Sequence, residues 1–128
     1  MANRKAKDEI KDDKKMTIPY KGKEYEIVFN LNVMEIIQDK YGSVEKWGDL
    51  VEDENEPKAK DIRYGFWAMI NEGIEIYNED HADDTDFIER PLLTEKQVGR
   101  IISDVGLAVV AETLRKTVVD STKSDEKN

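Results

Sequence analysis

The segment from Lys58 to Tyr77 constrains the fold most, because it is predicted to form one long helix with large side chains on more than one face. Its main apolar stripe recurs at helical spacing and consists of Ile62, Phe66, Met69, Ile70 and Tyr77. Off that stripe lie Tyr64, Trp67 and Ile74. Such a helix lies either at the centre of a fold or against a partner. Gly65 and Gly73, which share one face, predict the close approach of another helix.

A β-hairpin is predicted ahead of this helix, over residues 16–29. Apolar side chains alternate on both sides of a turn. They are Met16, Ile18 and Tyr20 before the turn, and Tyr25, Ile27 and Phe29 after it. The turn is Lys21-Gly22-Lys23, where Gly22 supplies the positive φ that tight hairpin turns need. Pro19 has no N–H to donate, which predicts that its strand lies at a sheet edge.

Helix-capping residues divide the chain between hairpin and long helix. Asn32, with Glu35 three residues later, has the pattern of a capping box, which predicts a helix over 32–41. Gly42 then ends that helix in the C′ position. Ser43 opens a second, short helix whose apolar face is Val44, Trp47, Leu50 and Val51. Residues 52–57 are predicted to form a loop, with Pro57 at the start of the long helix.

The last third of the chain is predicted to contain two more helices. Residues 78–90 are acidic and are predicted to form a loop, after which Thr94 and Gln97 have the capping-box pattern. The helix that follows is predicted to break near Ser103, with Asp104 capping a final helix to about Val119. The core stripe of that final helix is Leu107, Val110, Ala111, Leu114 and Val118, which Val105, Val109 and Val119 widen.

Length and pattern together predict one domain. A chain of 128 residues buries roughly two-thirds of the surface that its unfolded form exposes, which is enough for one core. We expect a single globular domain over 16–119, between a disordered N-terminal tail (1–15) and a disordered polar C-terminal tail (120–128). The expected fold class is mainly α (α+β), with an N-terminal β-hairpin followed by a bundle of four or five helices.

The charge distribution argues against nucleic acid as a direct partner. The formal net charge is −9, and residues 52–90 account for it, with thirteen Asp/Glu against four Lys/Arg. A negative surface repels phosphate backbones. The acidic clusters Glu52–Glu56 and Glu79–Asp86 allow two interpretations: they attract a basic partner segment, or they keep the chain soluble and unassociated.

No motif in the sequence indicates catalysis, a metal or a cofactor. The chain has no cysteine, which excludes disulfides, thiolate zinc sites and cysteine nucleophiles, and it has no Gly-rich phosphate loop or Ser elbow. Its single histidine, His81, stands among carboxylates, either as a base or ion ligand or in a solvated loop. Neither a signal peptide nor a membrane span is predicted, so we expect a cytosolic protein that is not an enzyme and has no membrane partner.

Six apolar side chains are candidates for binding a partner, because they fall outside the narrowest core stripes or belong to the types enriched at interfaces. Tryptophan and tyrosine are enriched at hot spots. Core packing and an interface are both open interpretations for Tyr64 and Trp67, since neither shares a face with Ile62, Phe66 and Ile70. The six candidates are Trp47, Tyr64, Trp67, Ile74, Val109 and Val119.

The order of these patterns resembles a known protein family. A hairpin ending in an aromatic residue precedes NLNVMEIIQDKYGSVEKWGDL, and two acidic gaps then separate DIRYGFWAMINEGIEIYNE and PLLTEKQVGRIISDVGLAVVAETL. The residues that carry the resemblance, over about 16–119, are Tyr41-Gly42-Ser43, Trp47, Trp67 and Asn71-Glu72-Gly73. In this pattern the chain resembles the tail assembly chaperones of long-tailed (siphovirus-type) phages and prophages of Gram-positive bacteria.

This resemblance implies a protein of the host bacterial cytoplasm that binds the tape measure protein before the tail tube polymerises and is absent from the mature virion. In that family a programmed frameshift also yields a longer form that recruits the tail tube protein, and this chain would be the short form. Spare apolar faces make a homo-oligomer a further expectation. Two alternatives stay open: a head–tail completion or minor tail structural protein, and an acidic regulatory adaptor.

Overall fold

The computed structural model describes residues 16–127, which form two strands and five helices. In chain order these are β1 (Met16–Tyr20), β2 (Lys23–Ile27), α1 (Leu31–Tyr41), α2 (Val44–Val51), α3 (Ala59–His81), α4 (Glu95–Val105) and α5 (Leu107–Lys127). The predicted fold class is confirmed: the protein is mainly α, with an N-terminal β-hairpin before the helices. The disordered tail predicted for residues 1–15 lies outside the described residues.

The hairpin forms around the predicted turn. β1 and β2 pair antiparallel, and the turn residues Lys21 (φ 50) and Gly22 (φ 78) both have positive φ, as a type I′ turn requires. The inward face of the hairpin buries Ile18 and Ile27 against the helices. β2 ends at Ile27, so Phe29 lies beyond the strand in which the alternation placed it.

The N-cap of α1 is Asn30, and not Asn32 as the capping-box pattern predicted. Asn30 has extended backbone (φ −139, ψ −171), and its Oδ1 accepts a hydrogen bond from Val33 N–H at 3.2 Å. Asn32 lies inside the first turn, where its side-chain amide donates to Glu72 Oε2 at 3.0 Å. Glu72 Oε2 also accepts from the side-chain amide of Asn30, at 2.8 Å, so one carboxylate from α3 holds both asparagines at the start of α1. The prediction was wrong by two residues, because Asn30 is the residue whose side chain accepts the first-turn N–H.

The predicted boundary between the first two helices is confirmed. Gly42 has φ 90, and its N–H donates at 2.8 Å to a carbonyl in the last turn of α1. The adjacent Ser43 Oγ accepts a hydrogen bond from Lys46 N–H at 3.0 Å and so caps α2. A glycine with positive φ followed by a hydroxyl cap therefore turns the chain sharply between the two helices.

α3 is the central helix, because it contacts β2 and all four other helices. Its buried residues cover more than one face and are Ile62, Gly65, Phe66, Ala68, Met69, Ile70, Gly73 and Ile74. Of the two predicted environments for this helix, the centre of the fold is the one observed. α3 continues four residues beyond Tyr77, so His81 ends the helix instead of standing in the predicted loop.

Two glycines let the neighbours of α3 approach closely. A Cβ added at Gly65 would overlap the ring of Trp47 on α2, and one added at Gly73 would overlap the carbonyl oxygen of Glu26 in β2. The end of the hairpin is also tied to α3, because Val28 N–H donates to a carbonyl of that helix at 3.3 Å. A helix therefore approaches at Gly65, as predicted, whereas the neighbour at Gly73 is a strand.

α4 opens with the predicted capping box and ends three residues later than predicted. Thr94 Oγ1 accepts from Gln97 N–H at 3.1 Å, and Gln97 Oε1 accepts from Thr94 N–H at 2.8 Å. The break lies at Gly106 (φ 111) and not near Ser103, so Asp104 falls in the last turn of α4 and does not cap α5. Glycine adopts this positive φ without strain. Ser103 and Asp104, the predicted break residues, adopt it less readily.

α5 continues to Lys127, so the predicted end of the last helix near Val119 is wrong. Its buried side chains include Val110, Leu114 and Thr117. Ser121 Oγ donates to the carbonyl oxygen of Phe29 at 3.3 Å. This contact joins α5 to the link between β2 and α1, two residues beyond the predicted domain boundary.

Candidate partner-binding surface

Two of the six predicted binding residues lie inside the core. Trp47 and Ile74 are each only 2% exposed. The Trp47 indole N–H donates to the Asp61 carbonyl at 3.0 Å, and its ring packs against Gly65. Trp47 therefore stabilises the packing of α2 against α3, and neither Trp47 nor Ile74 lies on the surface of the fold.

Tyr64 and Trp67 form a half-buried aromatic row with Tyr41. The rings of Tyr41 and Tyr64 meet edge to face with centroids 5.9 Å apart, and those of Tyr64 and Trp67 are 5.3 Å apart. The Lys40 ammonium lies 4.2 Å from the Tyr64 ring centroid, and Trp67 Nε1–H donates to the Leu93 carbonyl at 3.0 Å. Intrachain contacts already occupy much of both side chains.

The aromatic row holds two tyrosines in their neutral form. The Tyr41 hydroxyl donates to Asp61 Oδ1 at 2.6 Å. Burial, followed by this hydrogen bond and the Asp61 charge, raises the pKa of Tyr41 well above its usual range. Burial also raises the pKa of Tyr64, with the Glu95 carboxylate adding to the shift. Both hydroxyls are therefore protonated donors at neutral pH.

Val109 and Val119 are exposed on α5, by 53% and 52%. The exposed Glu112 and Lys116 lie on the same outward face of the helix. Single apolar side chains among charges are ordinary on protein surfaces. These two valines are accessible to a partner, but they do not form a continuous apolar patch.

The sequence analysis missed three exposed apolar side chains: Leu31 (67%), Ile88 (84%) and Leu92 (50%). Ile88 and Leu92 belong to residues 82–94, the connecting segment between α3 and α4. We call these two side chains, together with Phe87 and Pro91 of the same segment, the Ile88 surface. The signal that could have revealed it is the pair Phe87-Ile88, which interrupts an otherwise acidic and polar stretch.

Two asparagines of α3 anchor the connecting segment. Asn78 donates to the Arg90 carbonyl at 2.9 Å and accepts from Arg90 N–H at 3.0 Å. Asn71, two helical turns earlier, donates to the Leu93 carbonyl and accepts from Leu93 N–H, each at 2.9 Å. Each amide thus satisfies both backbone groups of one residue, much as a neighbouring strand would. The segment therefore lies along α3 in a defined conformation.

Arg90 gives the connecting segment a third attachment. Its guanidinium lies 3.9 Å from the Tyr77 ring centroid and 5.5 Å from that of Tyr25. It also donates to the Glu24 carbonyl at 3.2 Å. Arg90 therefore links the connecting segment to both α3 and the hairpin, through cation–π contacts and one hydrogen bond.

An open depression of about 560 Å³ lies beside the Ile88 surface. Its apolar lining comes from Tyr77, Phe87, Ile88 and Pro91. Charged residues of both signs line it as well: Asp84, Asp86 and Glu89, and the cations Lys23 and Arg90. The depression therefore combines apolar residues with a small excess of acidic ones, and it is much larger than the apolar cavity of about 50 Å³ between α2 and α5.

The two acidic clusters differ in how far their charge is compensated. In the first, Asp53 accepts two backbone N–H groups at 3.1 Å, and Lys58 lies 3.5 Å from Asp53 and 2.8 Å from Glu56. The Glu56 N–H contributes most to lowering the pKa of Asp53. Arg115 lies 3.3 Å from Glu54. Cations and N–H groups of the chain itself therefore offset part of the negative charge of this cluster.

The second cluster is largely unpaired. Residues 79–89 contain six carboxylates and no Lys or Arg: Glu79, Asp80, Asp83, Asp84, Asp86 and Glu89. Among the described residues, their one ion pair joins Asp84 Oδ2 to His81 Nδ1 at 2.7 Å. The negative field around the Ile88 surface is therefore available to an external cation.

The described part of the chain contains no group of three or more His, Cys, Asp or Glu side chains placed to hold a metal ion. None of its helices, over residues 16–127, is long and apolar enough to cross a membrane. No family model, curated protein or solved structure matches the chain. Its own residues and surface are therefore the basis for the function proposed below.

Proposed function

We propose that this protein is a phage or prophage tail assembly chaperone that binds the tape measure protein and keeps it soluble while the tail is assembled. It acts in the host bacterial cytoplasm and is left out of the mature virion. The observation that carries the proposal is the Ile88 surface, where an anchored segment exposes Ile88 by 84% and Leu92 by 50%. The sequence pattern over residues 16–119 supports the same conclusion.

The physical demands of this role agree with the surface of the chain. A chaperone for a long helical client needs apolar side chains that pack against helix faces, which dock through i, i+3, i+4 anchors. It also needs charge of one sign, so that the loaded complex repels other complexes and stays soluble. The Ile88 surface supplies the first property, and the net charge of −9 supplies the second.

Co-expression with the tape measure protein encoded nearby tests the proposal. The client is expected to move from the insoluble to the soluble fraction and to co-elute with this chain in size-exclusion chromatography. An unrelated aggregation-prone helical protein, co-expressed in the same way, controls for a general solubilising effect of an acidic partner. Client that stays insoluble while this chain elutes alone and folded would refute the proposal.

Two further observations separate the alternatives. A head–tail completion or minor tail structural protein stays in purified particles, whereas a chaperone is absent from them. An acidic regulatory adaptor binds a basic host protein and loses it at high salt. A longer frameshifted form is expected to bind the tail tube protein, and this short form is not.

A further inference from the structure

We infer that the Ile88 surface is the docking site for the client, and that it takes a basic amphipathic segment, in which an apolar side chain is flanked by lysine or arginine. This inference rests on the proposed function, because it names the part of the chain that binds the client and the chemistry of the client segment. Val109 and Val119, although exposed, lie outside this site.

The connecting segment exposes apolar side chains while its backbone is held in one conformation. Four hydrogen bonds from Asn71 and Asn78 hold its backbone, and Arg90 binds it to Tyr77 and the hairpin. Holding an exposed segment in one conformation costs conformational entropy. That cost is recovered on binding, since a preorganised surface loses little further freedom when its partner docks.

The charge of residues 79–89 favours a basic client segment. Six acidic residues lie within residues 79–89, and three of them, Asp84, Asp86 and Glu89, line the depression beside Ile88. Within the described part of the chain only His81 pairs with any of the six. A client segment with lysine or arginine beside its apolar anchor gains attraction from this field, and a neutral or acidic segment does not. In the cluster at Glu52–Glu56, by contrast, Lys58 and Arg115 pair with three of the four carboxylates.

The same charge argues against a second copy of this chain as the occupant. A symmetric dimer through the Ile88 surface would place two sets of these carboxylates against each other, since an isologous interface pairs each patch with itself. Like charges that face each other disfavour association. The chain as a whole also carries a net charge of −9, so the copies repel at longer range. A positively charged partner is therefore favoured.

The surface beside Ile88 also has room for a side chain of the client. The depression beside Ile88 has a volume of about 560 Å³, within the range of about 300–1,000 Å³ that is usual for binding pockets. Its apolar lining residues Tyr77, Phe87 and Pro91 suit a large aliphatic or aromatic anchor. Its three acidic residues, Asp84, Asp86 and Glu89, outnumber the two lining cations, Lys23 and Arg90, and suit the cations that flank the anchor. Both properties of the client segment are thus matched in one place.

A matched pair of double variants tests the location. In Ile88→Ser/Leu92→Ser the apolar anchors of the site are removed, and in Val109→Ser/Val119→Ser the same kind of change is made on α5. All four side chains are at least 50% exposed, so both variants are expected to fold as the wild type does, which circular dichroism verifies. The first variant is expected to bind the client at least tenfold more weakly, and the second less than about threefold.

A second matched pair tests the charge. Asp83→Asn/Asp86→Asn and Asp49→Asn/Asp104→Asn remove the same amount of charge from exposed positions, so any difference between them reflects local attraction. Binding of the client by the first variant is expected to be weaker and less sensitive to salt than that of the second. Equal affinity and equal salt dependence in both variants would contradict a basic client segment.

The outcomes separate the inference from the proposed function. If the wild-type chain does not bind or solubilise the tape measure protein, the proposed function fails and the inference fails with it. If the wild type binds and the Ile88/Leu92 variant binds equally well, or both serine variants lose affinity equally, the inference alone is overturned. Selective loss in the Ile88/Leu92 variant supports it.

Discussion

Substituting Gly73 with alanine should destabilise the fold, although alanine normally stabilises a helix. An added Cβ would lie 3.0 Å from the Glu26 carbonyl carbon and overlap its oxygen. α3 and β2 would have to separate by on the order of 1 Å to restore a normal contact distance of about 3.5 Å. The obstacle is backbone, so no side-chain rotation relieves the overlap.

Three contributions determine how much Gly73→Ala lowers the free energy of unfolding. Overpacking at a rigid contact costs about 1–3 kcal/mol, and strain on the nearby Val28 N–H hydrogen bond to α3, 3.3 Å long, adds up to about 1 kcal/mol. The helix preference of alanine over glycine offsets about 1 kcal/mol of this loss. The free energy of unfolding of Gly73→Ala should therefore fall by up to about 3 kcal/mol.

Gly99 and Gly48 provide the matched controls, since both also lie in helices. A Cβ at Gly99 would meet only Arg63 Cδ, at 3.6 Å, and one at Gly48 would meet nothing within 4 Å. Each alanine variant should gain about 0.5–1 kcal/mol. Urea unfolding followed by circular dichroism measures all three. A Gly73→Ala protein as stable as Gly99→Ala would refute the close contact between α3 and β2.

Two further predictions concern the anchored segment and the buried tyrosine. Replacing Asn71 or Asn78 with alanine removes two hydrogen bonds and should cost about 1–3 kcal/mol, with faster amide hydrogen exchange at Leu93 or Arg90; unchanged exchange would contradict the anchoring. The raised pKa of Tyr41 means that the folded state resists ionisation, so its contribution to stability is complete below about pH 10, the pKa of an unfolded tyrosine, and is lost above it. Urea unfolding between about pH 8 and 11 should show this decline, and a decline equally steep in Tyr41→Phe would contradict it.

The elements that could be predicted from sequence are those whose signals are local. The hairpin turn at Gly22, the end of α1 at Gly42 and the caps at Ser43 and Thr94 each need only a few neighbouring residues. The central position of α3 followed from apolar residues on more than one of its faces. In each case the residue type itself imposes the geometry, through positive φ, a side-chain cap or the burial of apolar surface.

The errors arose where the deciding contact is distant in sequence or where several local signals compete. Asn30 and Asn32 are both good caps, and Glu72, about forty residues away in sequence, binds the side-chain amide of each, while the Asn30 Oδ1 accepts the N–H of Val33 and starts α1. The break before α5 lies at Gly106, although Ser103 and Asp104 offered capping signals of their own. Local capping preferences alone do not show which of these neighbouring residues begins or ends a helix.

The Ile88 surface escaped prediction for the same reason. Its order comes from Asn71 and Asn78, which bind backbone groups 22 and 12 residues away in sequence. An acidic stretch without periodicity predicts only a loop, so the exposure of Ile88 became visible once the fold placed α3 beside it. The aromatic candidates, in contrast, were chosen by residue type, and Trp47 is buried.

The residues that carry the family resemblance have structural explanations here. Gly42 and Ser43 form the turn between α1 and α2, and Trp47 fills the space over Gly65. Asn71 anchors the connecting segment, and Glu72 binds the side-chain amides of Asn30 and Asn32. Gly73 has no side chain, which lets β2 approach α3 closely.

A pattern made of such residues is evidence for a shared fold, and a shared fold does not by itself imply a shared client. Specificity for a client depends instead on exposed side chains, and Ile88, which is 84% exposed, lies in a gap between the quoted segments. The comparison of the Ile88/Leu92 and Val109/Val119 variants is therefore the sharper test of function, because it changes the surface and leaves every fold-determining residue in place.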